Sequence, residues 1–337
     1  MSEIPRRQFL KLAGSLMASL GWLTACQAQP SETATPTDQT TLPLPQATPS
    51  SGRIGRTVLT MPEVADALTA LANGQAAVLW LQGQACSGCS VSFLNAAYPD
   101  VAAVLTQYIS VDYHATLSAA AGATALEALE RRMAAGNYLL VVEGAVPAGM
   151  PLACRVGDEP FTQLLTRAAR RATAVVALGT CAAFGGVPAA PPNPTGAVSV
   201  PKFLGPALGS TPLINLPGCP AHPDWLIGTL VHLLRAGVPP LTEDLSPAMF
   251  YGTVIHERCP QFHLYNAGQF AHFFGDAGCL FNLGCLGIRT YADCSIRRWN
   301  NRINWCVEAG APCVGCARPE FAADPSFPFY RLRELGS

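Results

Sequence analysis

The stretch AVLWLQGQACSGC, residues 77–89, sets the architecture expected for the rest of the chain. It begins with a short apolar run, residues 77–81, which has the length and composition of a buried β-strand. A polar, glycine-containing segment follows, and then Cys86 and Cys89, separated by two residues. That spacing presents both thiolates to one metal centre. The stretch therefore predicts a strand with a metal-binding loop at its carboxyl end.

The same pattern continues toward residue 216, with short apolar runs alternating with longer amphipathic or alanine-rich stretches. Strands are predicted at residues 77–81, 108–111, 138–142, 174–178 and 213–216. Helices are predicted at residues 116–135, 161–172 and 224–236. Strands that alternate with helices favour an α/β fold with a parallel, doubly wound sheet. Ligands of such sheets lie outside the carboxyl ends of the strands.

Eleven of the thirteen cysteines, with one histidine, divide into three sets of four. The sets are Cys86, Cys89, Cys181 and Cys219; His256, Cys259, Cys279 and Cys285; and Cys294, Cys306, Cys313 and Cys316. Members of the first set follow the first, fourth and fifth predicted strands, so we expect them to meet at one edge of the sheet. A four-iron cluster takes four protein ligands, usually thiolates. Three such sets in one chain indicate an electron-transfer protein.

Two other uses of these cysteines remain open at this level. An exported chain rich in cysteine can hold disulfides, although these are typical of domains with small cores, and this chain is 50% hydrophobic. Zinc favours paired two-residue spacings, and the last third of the chain has one such pair, Cys313 and Cys316. Cys154 stands outside the sets and is expected to be a small buried hydrophobe.

The amino-terminal segment has the features of an export signal. Arg6-Arg7 is followed by Phe9-Leu10-Lys11 and an apolar stretch too short to span a bilayer, which together indicate a twin-arginine signal peptide over residues 1–25. The stretch ends in residues 23–25 and Cys26, a pattern like the lipoprotein cleavage site, so Cys26 is a candidate for lipidation. An ordinary cleavage site with an incidental cysteine is the alternative.

Three further regions are expected after the signal. Residues 26–56 are rich in Ser, Thr, Pro and Gln and predict a flexible tether. Residues 57–240 contain the α/β pattern, and residues 241–337 lose the periodicity and predict an irregular domain of helices and loops, held by two clusters. The chain has 21 basic and 22 acidic residues, so nucleic acid is not an expected partner.

These motifs, taken in order, resemble the small subunits of nickel–iron hydrogenases over about residues 75–321. The motifs that carry the resemblance are CSGCSVSFLN from Cys86, Asp112-Tyr113-His114, Val142-Glu143-Gly144-Ala145, GTCAAFGG from Gly179, PGCPAHPDW from Pro217, His256-x-x-Cys259-Pro260, CLFNLGCLG from Cys279, Arg298-Trp299-Asn300 and PCVGC from Pro312. The resemblance implies a flavodoxin-like sheet followed by a cluster-binding domain.

The resemblance also implies a heterodimer, in which a separate large subunit splits hydrogen and this chain carries electrons outward. The first set would hold a proximal 4Fe–4S cluster, the second a distal 4Fe–4S cluster, and the third a medial cluster. No catalytic residue is expected in this chain. The electron acceptor would be a cytochrome or a membrane redox protein, on the extracytoplasmic face of a membrane to which the Cys26 lipid attaches the chain.

The medial set departs from the commonest pattern of the family. Many members have a 3Fe–4S medial cluster and a proline where this chain has Cys306. A fourth thiolate is expected to hold a fourth iron, as in the subgroup that includes the nickel–iron–selenium enzymes; an unligated Cys306 and a 3Fe–4S cluster are the alternative. Glu143 matches a glutamate close to the proximal cluster, where it would tune the potential or assist proton movement. The other interpretation of Glu143 is a carboxylate that caps a loop amide.

Two other functions are compatible with parts of this pattern. The chain could serve another membrane-side oxidoreductase, with the same clusters and no hydrogen chemistry. It could also be an exported lipoprotein module that uses disulfides or zinc. Iron and acid-labile sulfide separate the last class from the first two.

Overall fold

Five parallel strands form the central sheet of the computed structural model, which describes residues 76–323. They are β1 (Ala76–Gln82), β2 (Ile109–His114), β3 (Tyr138–Glu143), β4 (Ala172–Leu178) and β5 (Leu213–Leu216). Their order is β2-β1-β3-β4-β5, and every neighbouring pair is parallel. The sheet confirms the predicted doubly wound α/β fold.

Alternation along the strands explains why both faces of this sheet are covered. In β1, Val78 and Trp80 belong to one hydrophobic core, whereas Leu79 and Leu81 belong to a second core. Successive side chains of a strand point to opposite faces, so each core lies on its own side of the sheet. A strand buried on both faces needs an unbroken apolar run, which is the pattern that residues 77–81 show.

Eleven α-helices and several single turns surround the sheet in the described part of the chain. The helices are α1 (Gly88–Phe93), α2 (Val101–Ala103), α3 (Gly122–Ala135), α4 (Phe161–Ala169), α5 (Gly179–Phe184), α6 (Gly186–Ala189), α7 (Val200–Leu204), α8 (Pro223–Ala236), α9 (Ala248–Tyr251), α10 (Phe262–Asn266) and α11 (Cys294–Arg297). One turn, Val104–Tyr108, is π-helical. Pro151–Ala153, Gly205–Leu208, Ile255–Arg258, Leu280–Leu283 and Gly287–Arg289 are 3₁₀ turns. Two short antiparallel pairs join Val146–Pro147 to Ala197–Val198 and Arg155–Val156 to Glu159–Pro160.

Two predicted helices differ from the observed ones at their ends. The helix predicted at residues 116–135 begins at Gly122, because the amides of Thr116 and Leu117 donate to the ring of His114 instead of starting a helix. The helix predicted at residues 161–172 ends at Ala169, because Ala172 already belongs to β4. The helix predicted at residues 224–236 is α8, one residue longer at its start.

The last third of the described chain is built from short helices and loops. Residues 252–323 add no strand to the central sheet, and the longest α-helix there, α10, has five residues. Trp305 and Val307 from this region are buried in the same core as Trp225 of α8 and Tyr251 of α9. The division of the chain at residue 240 stays a prediction.

The predicted signal peptide, Cys26 and the tether lie outside the described residues. Within residues 76–323, no helix has both the length and the apolar character needed to cross a bilayer.

Candidate metal centres

The first set of cysteines meets at the carboxyl edge of the sheet. Cys86 and Cys89 follow β1, Cys181 lies in α5 after β4, and Cys219 follows β5. All four line one cavity of about 80 Å³. The crossovers of the fold therefore bring together cysteines that are up to 133 positions apart, 219 minus 86.

A glycine makes the close packing around this cavity possible. Gly179 has φ +83°, and a Cβ added there would lie 2.5 Å from the Cys89 Sγ. Both observations require glycine, because an L side chain is strained at this φ and would collide with the thiol. Gly179 thus lets the turn after β4 approach the loop after β1.

Glu143, the last residue of β3, lies in the wall of the same cavity. One carboxylate oxygen accepts from the amide of Cys89 at 2.9 Å, and the other accepts from Trp80 Nε1 at 3.1 Å and Gln82 Nε2 at 3.0 Å. Glu143 is 2% exposed, so its charge is satisfied by these donors and not by water. The two interpretations of Glu143 are therefore compatible, since a carboxylate that caps the Cys89 amide also faces the cavity.

The second set surrounds another cavity. His256, Cys259, Cys279 and Cys285 all line a small space of about 20 Å³. Phe262 and Tyr265 pack against the ring of His256, with centroids 5.1 and 4.5 Å away. Phe270 packs against Tyr265, with ring centroids 5.7 Å apart. These rings hold the imidazole in place and restrict its contact with water.

Polar atoms without partners line this second cavity. Trp305 Nε1 is buried and has no hydrogen-bond partner within residues 76–323, and the same is true of Gln261 Oε1. Buried polar groups are rarely left unpaired in proteins. An iron–sulfur cluster carries sulfur acceptors, and an amide such as that of Gln261 can present either its oxygen or its nitrogen. The lining of the cavity therefore fits such a group.

The third set gathers in the loops around α11. Cys294 and Cys313 are buried, and Trp299 donates a hydrogen bond to the Cys294 thiol. Burial and the nearby Cys316 and Cys313 raise the pKa of Cys294 well above its usual range. Cys306 is exposed and lies close enough to Cys313 and Cys316 for their charges to interact. The structure thus places Cys306 near two other members of its set, Cys313 and Cys316.

Backbone contacts connect the three sets in a row. The Cys316 thiol accepts from the amide of Cys219 in the first set, and the amide of Cys313 donates to Cys285 Sγ in the second set at 3.4 Å. Thr180 strengthens the first of these connections, because its hydroxyl donates to the Cys316 carbonyl and accepts from the amide of Gly218 at 2.8 Å. The third set therefore lies between the other two.

The arrangement of the thiols around each cavity bears on the kind of centre they could hold. Every cysteine within residues 76–323 is a free thiol. Among the same residues, no three His, Cys, Asp or Glu side chains are close enough to hold a single metal ion. A zinc ion needs its ligands around one atom, whereas a four-iron cluster takes each ligand on a different iron. Ligands spread around a cavity fit the cluster better.

Burial also affects the protonation of the thiols. Burial raises the pKa of Cys181 to about 11, with the charge of Cys219 acting in the same direction, and burial raises the pKa of Cys316 to about 11. Free thiols of this kind stay protonated at neutral pH. A metal centre binds thiolates, so a cluster held by these side chains would displace their protons.

Two residues near the first set were missed by the reasoning from sequence. Ser90 and His114 are buried and hydrogen-bond to each other at 3.1 Å, and Ser90 in turn donates to Glu143. Spacing alone gives His114 no ligand role and indicates a structural or surface group. For His114, the strand register shows the connection to Glu143. Trp80 of β1 pairs with His114, and Gln82 of β1 pairs with Glu143, so these four side chains lie on one face of the sheet.

Comparisons with known protein families divide the chain into two matched regions. Residues 86–233 match the family model described as NADH ubiquinone oxidoreductase, 20 Kd subunit. Residues 251–330 match the model for the C-terminal part of the NiFe/NiFeSe hydrogenase small subunit.

Individual relatives extend over most of the chain. The periplasmic [NiFeSe] hydrogenase small subunit of Desulfomicrobium baculatum is 43% identical over 291 residues, which is 80% of this chain and 91% of that protein. The hydrogenase-2 small chain of Escherichia coli strain K12 is 36% identical over 325 residues, covering 93% of this chain and 76% of that protein. A chain in the structure of the reduced, active Ni-Fe-Se hydrogenase from Desulfomicrobium baculatum superposes with a TM-score of 0.73 and 44% identity, over 76% of this chain and 98% of that one.

Proposed function

This chain belongs to the family of nickel–iron and nickel–iron–selenium hydrogenase small subunits, and from that membership we propose that it carries electrons through three 4Fe–4S clusters. It is the electron-transfer subunit of a hydrogenase that works as a heterodimer with a large subunit. The observation that most favours three clusters is the row of cysteine sets, in which the third set contacts both others. When bound, the clusters supply one-electron carriers between the large subunit and an external acceptor.

We assign the ligands by set. Cys86, Cys89, Cys181 and Cys219 hold the proximal cluster; His256, Cys259, Cys279 and Cys285 hold the distal cluster; and Cys294, Cys306, Cys313 and Cys316 hold the medial cluster. The cavities around the first two sets and the mutual proximity of the thiols in the third support this assignment. With four thiolates, the medial centre keeps four irons and has a lower potential than a three-iron centre would.

The large subunit is proposed to cover the proximal end of the row. Cys86 and Cys219 are exposed in the isolated chain, so water reaches the first cavity there. Exposed apolar side chains lie next to it: Val91, in the same helix as Cys89, is 58% exposed, and Val187, whose amide donates to the Cys181 thiol, is 57% exposed. Apolar surface of this kind is typical of a protein interface. A partner seated there would exclude water from the proximal centre.

The acceptor is proposed to meet the opposite end, near His256. Phe273 and Phe274, 75% and 67% exposed, lie in the loop between Ala271 and Cys279, whose backbones are hydrogen-bonded at 3.0 Å. A cytochrome or a membrane redox protein is the expected class of acceptor. Relatives are named as periplasmic enzymes, and the Arg6-Arg7 signal agrees with an extracytoplasmic location, where lipidated Cys26 would attach the chain to the membrane.

The experiment that tests this function produces the chain with and without its large subunit. Hydrogen-dependent reduction of an artificial dye is expected only when both polypeptides are present, because this chain contains no further set of cysteines for a nickel–iron site. Activity from the isolated chain would contradict the proposal. A cluster-containing chain that supports a different oxidoreductase and no hydrogen oxidation would favour the alternative electron-transfer function.

A further inference from the structure

A buried chain of hydrogen bonds runs from His114 through Ser90 to Glu143. The three residues are 1%, 2% and 2% exposed, so water does not compete for their polar atoms. They come from β2, α1 and β3, and they meet beneath the first cavity. None of them belongs to a proposed ligand set.

The hydrogen bonds of His114 fix its tautomer. Its Nδ1 accepts from the backbone amides of Thr116 at 3.1 Å and Leu117 at 3.3 Å. Amide protons cannot be relocated, so Nδ1 carries no proton and the ring proton sits on Nε2. The Nε2–H then donates to Ser90 Oγ at 3.1 Å. Burial lowers the pKa of His114 to about 4, against the opposing effect of the Glu143 charge, so the ring is neutral at neutral pH.

The hydroxyl of Ser90 has one possible direction for its own proton. Its oxygen accepts from His114 Nε2 and, at 3.0 Å, from Gln82 Nε2. A hydroxyl has two acceptor positions and one proton, and both acceptor positions are filled. The proton therefore points to the remaining neighbour, the Glu143 carboxylate. His114 holds this arrangement by occupying one of the two positions.

Glu143 is the last residue in this series of hydrogen bonds, and both of its carboxylate oxygens act as acceptors. Oε1 accepts from the amides of Cys89 at 2.9 Å and Ser90 at 3.3 Å, and Oε2 accepts from Trp80, Gln82 and the Ser90 hydroxyl. Hydrogen bonds to a carboxylate withdraw negative charge from it, and linked hydrogen bonds strengthen one another. The charge that Glu143 presents to the cavity thus depends on Ser90 and His114.

We propose that Ser90 and His114 are positioning residues that fix the orientation of Glu143 and moderate its charge, and so set the reduction potential of the proximal centre. The inference rests on the proposed cluster at Cys86, Cys89, Cys181 and Cys219. Negative charge near a cluster favours its oxidised state and lowers its potential, and net charge and hydrogen bonding are the means by which a protein adjusts such a centre. His114 acts only through the two residues between it and the cavity.

The hydrogen bonds that link His114, Ser90 and Glu143 do not form a path for protons. The series terminates on the amides of Thr116 and Leu117, which cannot release a proton, and both oxygens of Glu143 are already occupied by donors. Of the two functions considered for Glu143, the geometry favours adjustment of the potential over proton movement.

The test measures the proximal midpoint potential of the purified heterodimer by redox titration followed by electron paramagnetic resonance. Glu143→Gln removes the charge, should raise the potential, and identifies which component of the spectrum is the proximal centre. Ser90→Ala and His114→Asn should lower the potential, because each weakens donation to the carboxylate. His114→Gln should match the parent enzyme, since a glutamine amide places an N–H near the position of Nε2 whereas asparagine does not reach it.

A double variant shows whether the effect passes through Glu143. In a Glu143→Gln background, His114→Asn should cause no further shift of the proximal potential. If the heterodimer with His114→Asn does not assemble, Ser90→Ala is measured in the same background instead. A shift that persists without the carboxylate, or single variants that leave the potential unchanged, would overturn the inference and leave the proposed cluster intact. A parent enzyme without a proximal cluster would overturn the proposed function and this inference together.

Discussion

At the scale of single residues, the proposed medial centre has four ligands if Cys306 is one of them and three if it is not. Its charge acts on the nearby Cys313 and Cys316, where it contributes to the raised pKa of each thiol. The Cys306 amide bonds to its own sulfur, so proline at this position removes no hydrogen bond between that amide and another residue. Cys306→Pro is expected to convert the medial centre to a 3Fe–4S cluster, because an iron without a protein ligand is readily lost.

The measurement is electron paramagnetic resonance of the oxidised enzyme together with its iron content. A three-iron signal absent from the parent should appear, and the medial potential should rise. Cys154→Ala is the matched control, since Cys154 is half-buried and belongs to no set. Identical spectra and iron content for Cys306→Pro and the parent would mean that Cys306 is not a ligand.

Residue spacing indicated the proposed ligand sets, but it could not predict the hydrogen bonds of the residues behind them. The two residues between Cys86 and Cys89 indicate a metal-binding pair, and Glu143 was identified from a resemblance of motifs. His114 was expected to be a structural or surface group, and nothing within its own motif shows which residues it contacts. Its partner Ser90 lies on a different element, α1, and only the tertiary packing of α1 against β2 brings the two together.

At the scale of secondary-structure elements, the five strands of the sheet followed from their apolar runs. Because these strands are buried on both faces, each is an unbroken apolar run that can be recognised without knowing which strands it pairs with. The short helices of residues 248–297 were not predicted individually, because turns of four or five residues have too little periodicity to be recognised. Their positions depend on tertiary contacts, such as the Trp225 indole that donates to Asp293 beside Cys294 at 2.7 Å.

The turn between β4 and α5 offers a direct test of the proximal site. Gly179→Ala would place a Cβ 2.5 Å from the Cys89 Sγ at a φ of +83°. The backbone strain alone costs about 1–2 kcal/mol, and the collision is expected to displace the thiol. The prediction is loss or marked alteration of the proximal signal, with the medial and distal signals retained.

Gly122→Ala is the control for this variant. Gly122 also has positive φ, +58°, and a Cβ there would meet no atom within 4 Å. Gly122→Ala should lower stability through the strain of an alanine at positive φ, without any change in the proximal signal. Equal spectra for the two variants would contradict the role assigned to Gly179.

At the scale of the whole molecule, the order of the three sets connects the fold to its function. The sheet presents the first set at its carboxyl edge, and the loops after α8 carry the other two away from it through the contacts of Cys316 and Cys313. The sequence implied this order only through a resemblance. The physical connections, such as Thr180 bonded to both the Gly218 amide and the Cys316 carbonyl, depend on residues up to 136 positions apart.

Membrane attachment is a separate prediction for the complete chain. Cys26→Ser should release the heterodimer into the soluble extracytoplasmic fraction, because no lipid could then be added at this position. Fractionation followed by detection of both subunits measures the effect. Unchanged membrane association would show that a partner, and not Cys26, attaches the enzyme.

The acid-labile sulfide content of the purified heterodimer tests the central claim most directly. Sulfide is the better quantity because iron is also expected in the nickel–iron site of the large subunit. Three clusters predict about twelve inorganic sulfides for each copy of this chain, four in each cluster. A content near zero would contradict the assignment of these cysteines to iron–sulfur clusters, and a content near eight would leave one of the three sets without a cluster.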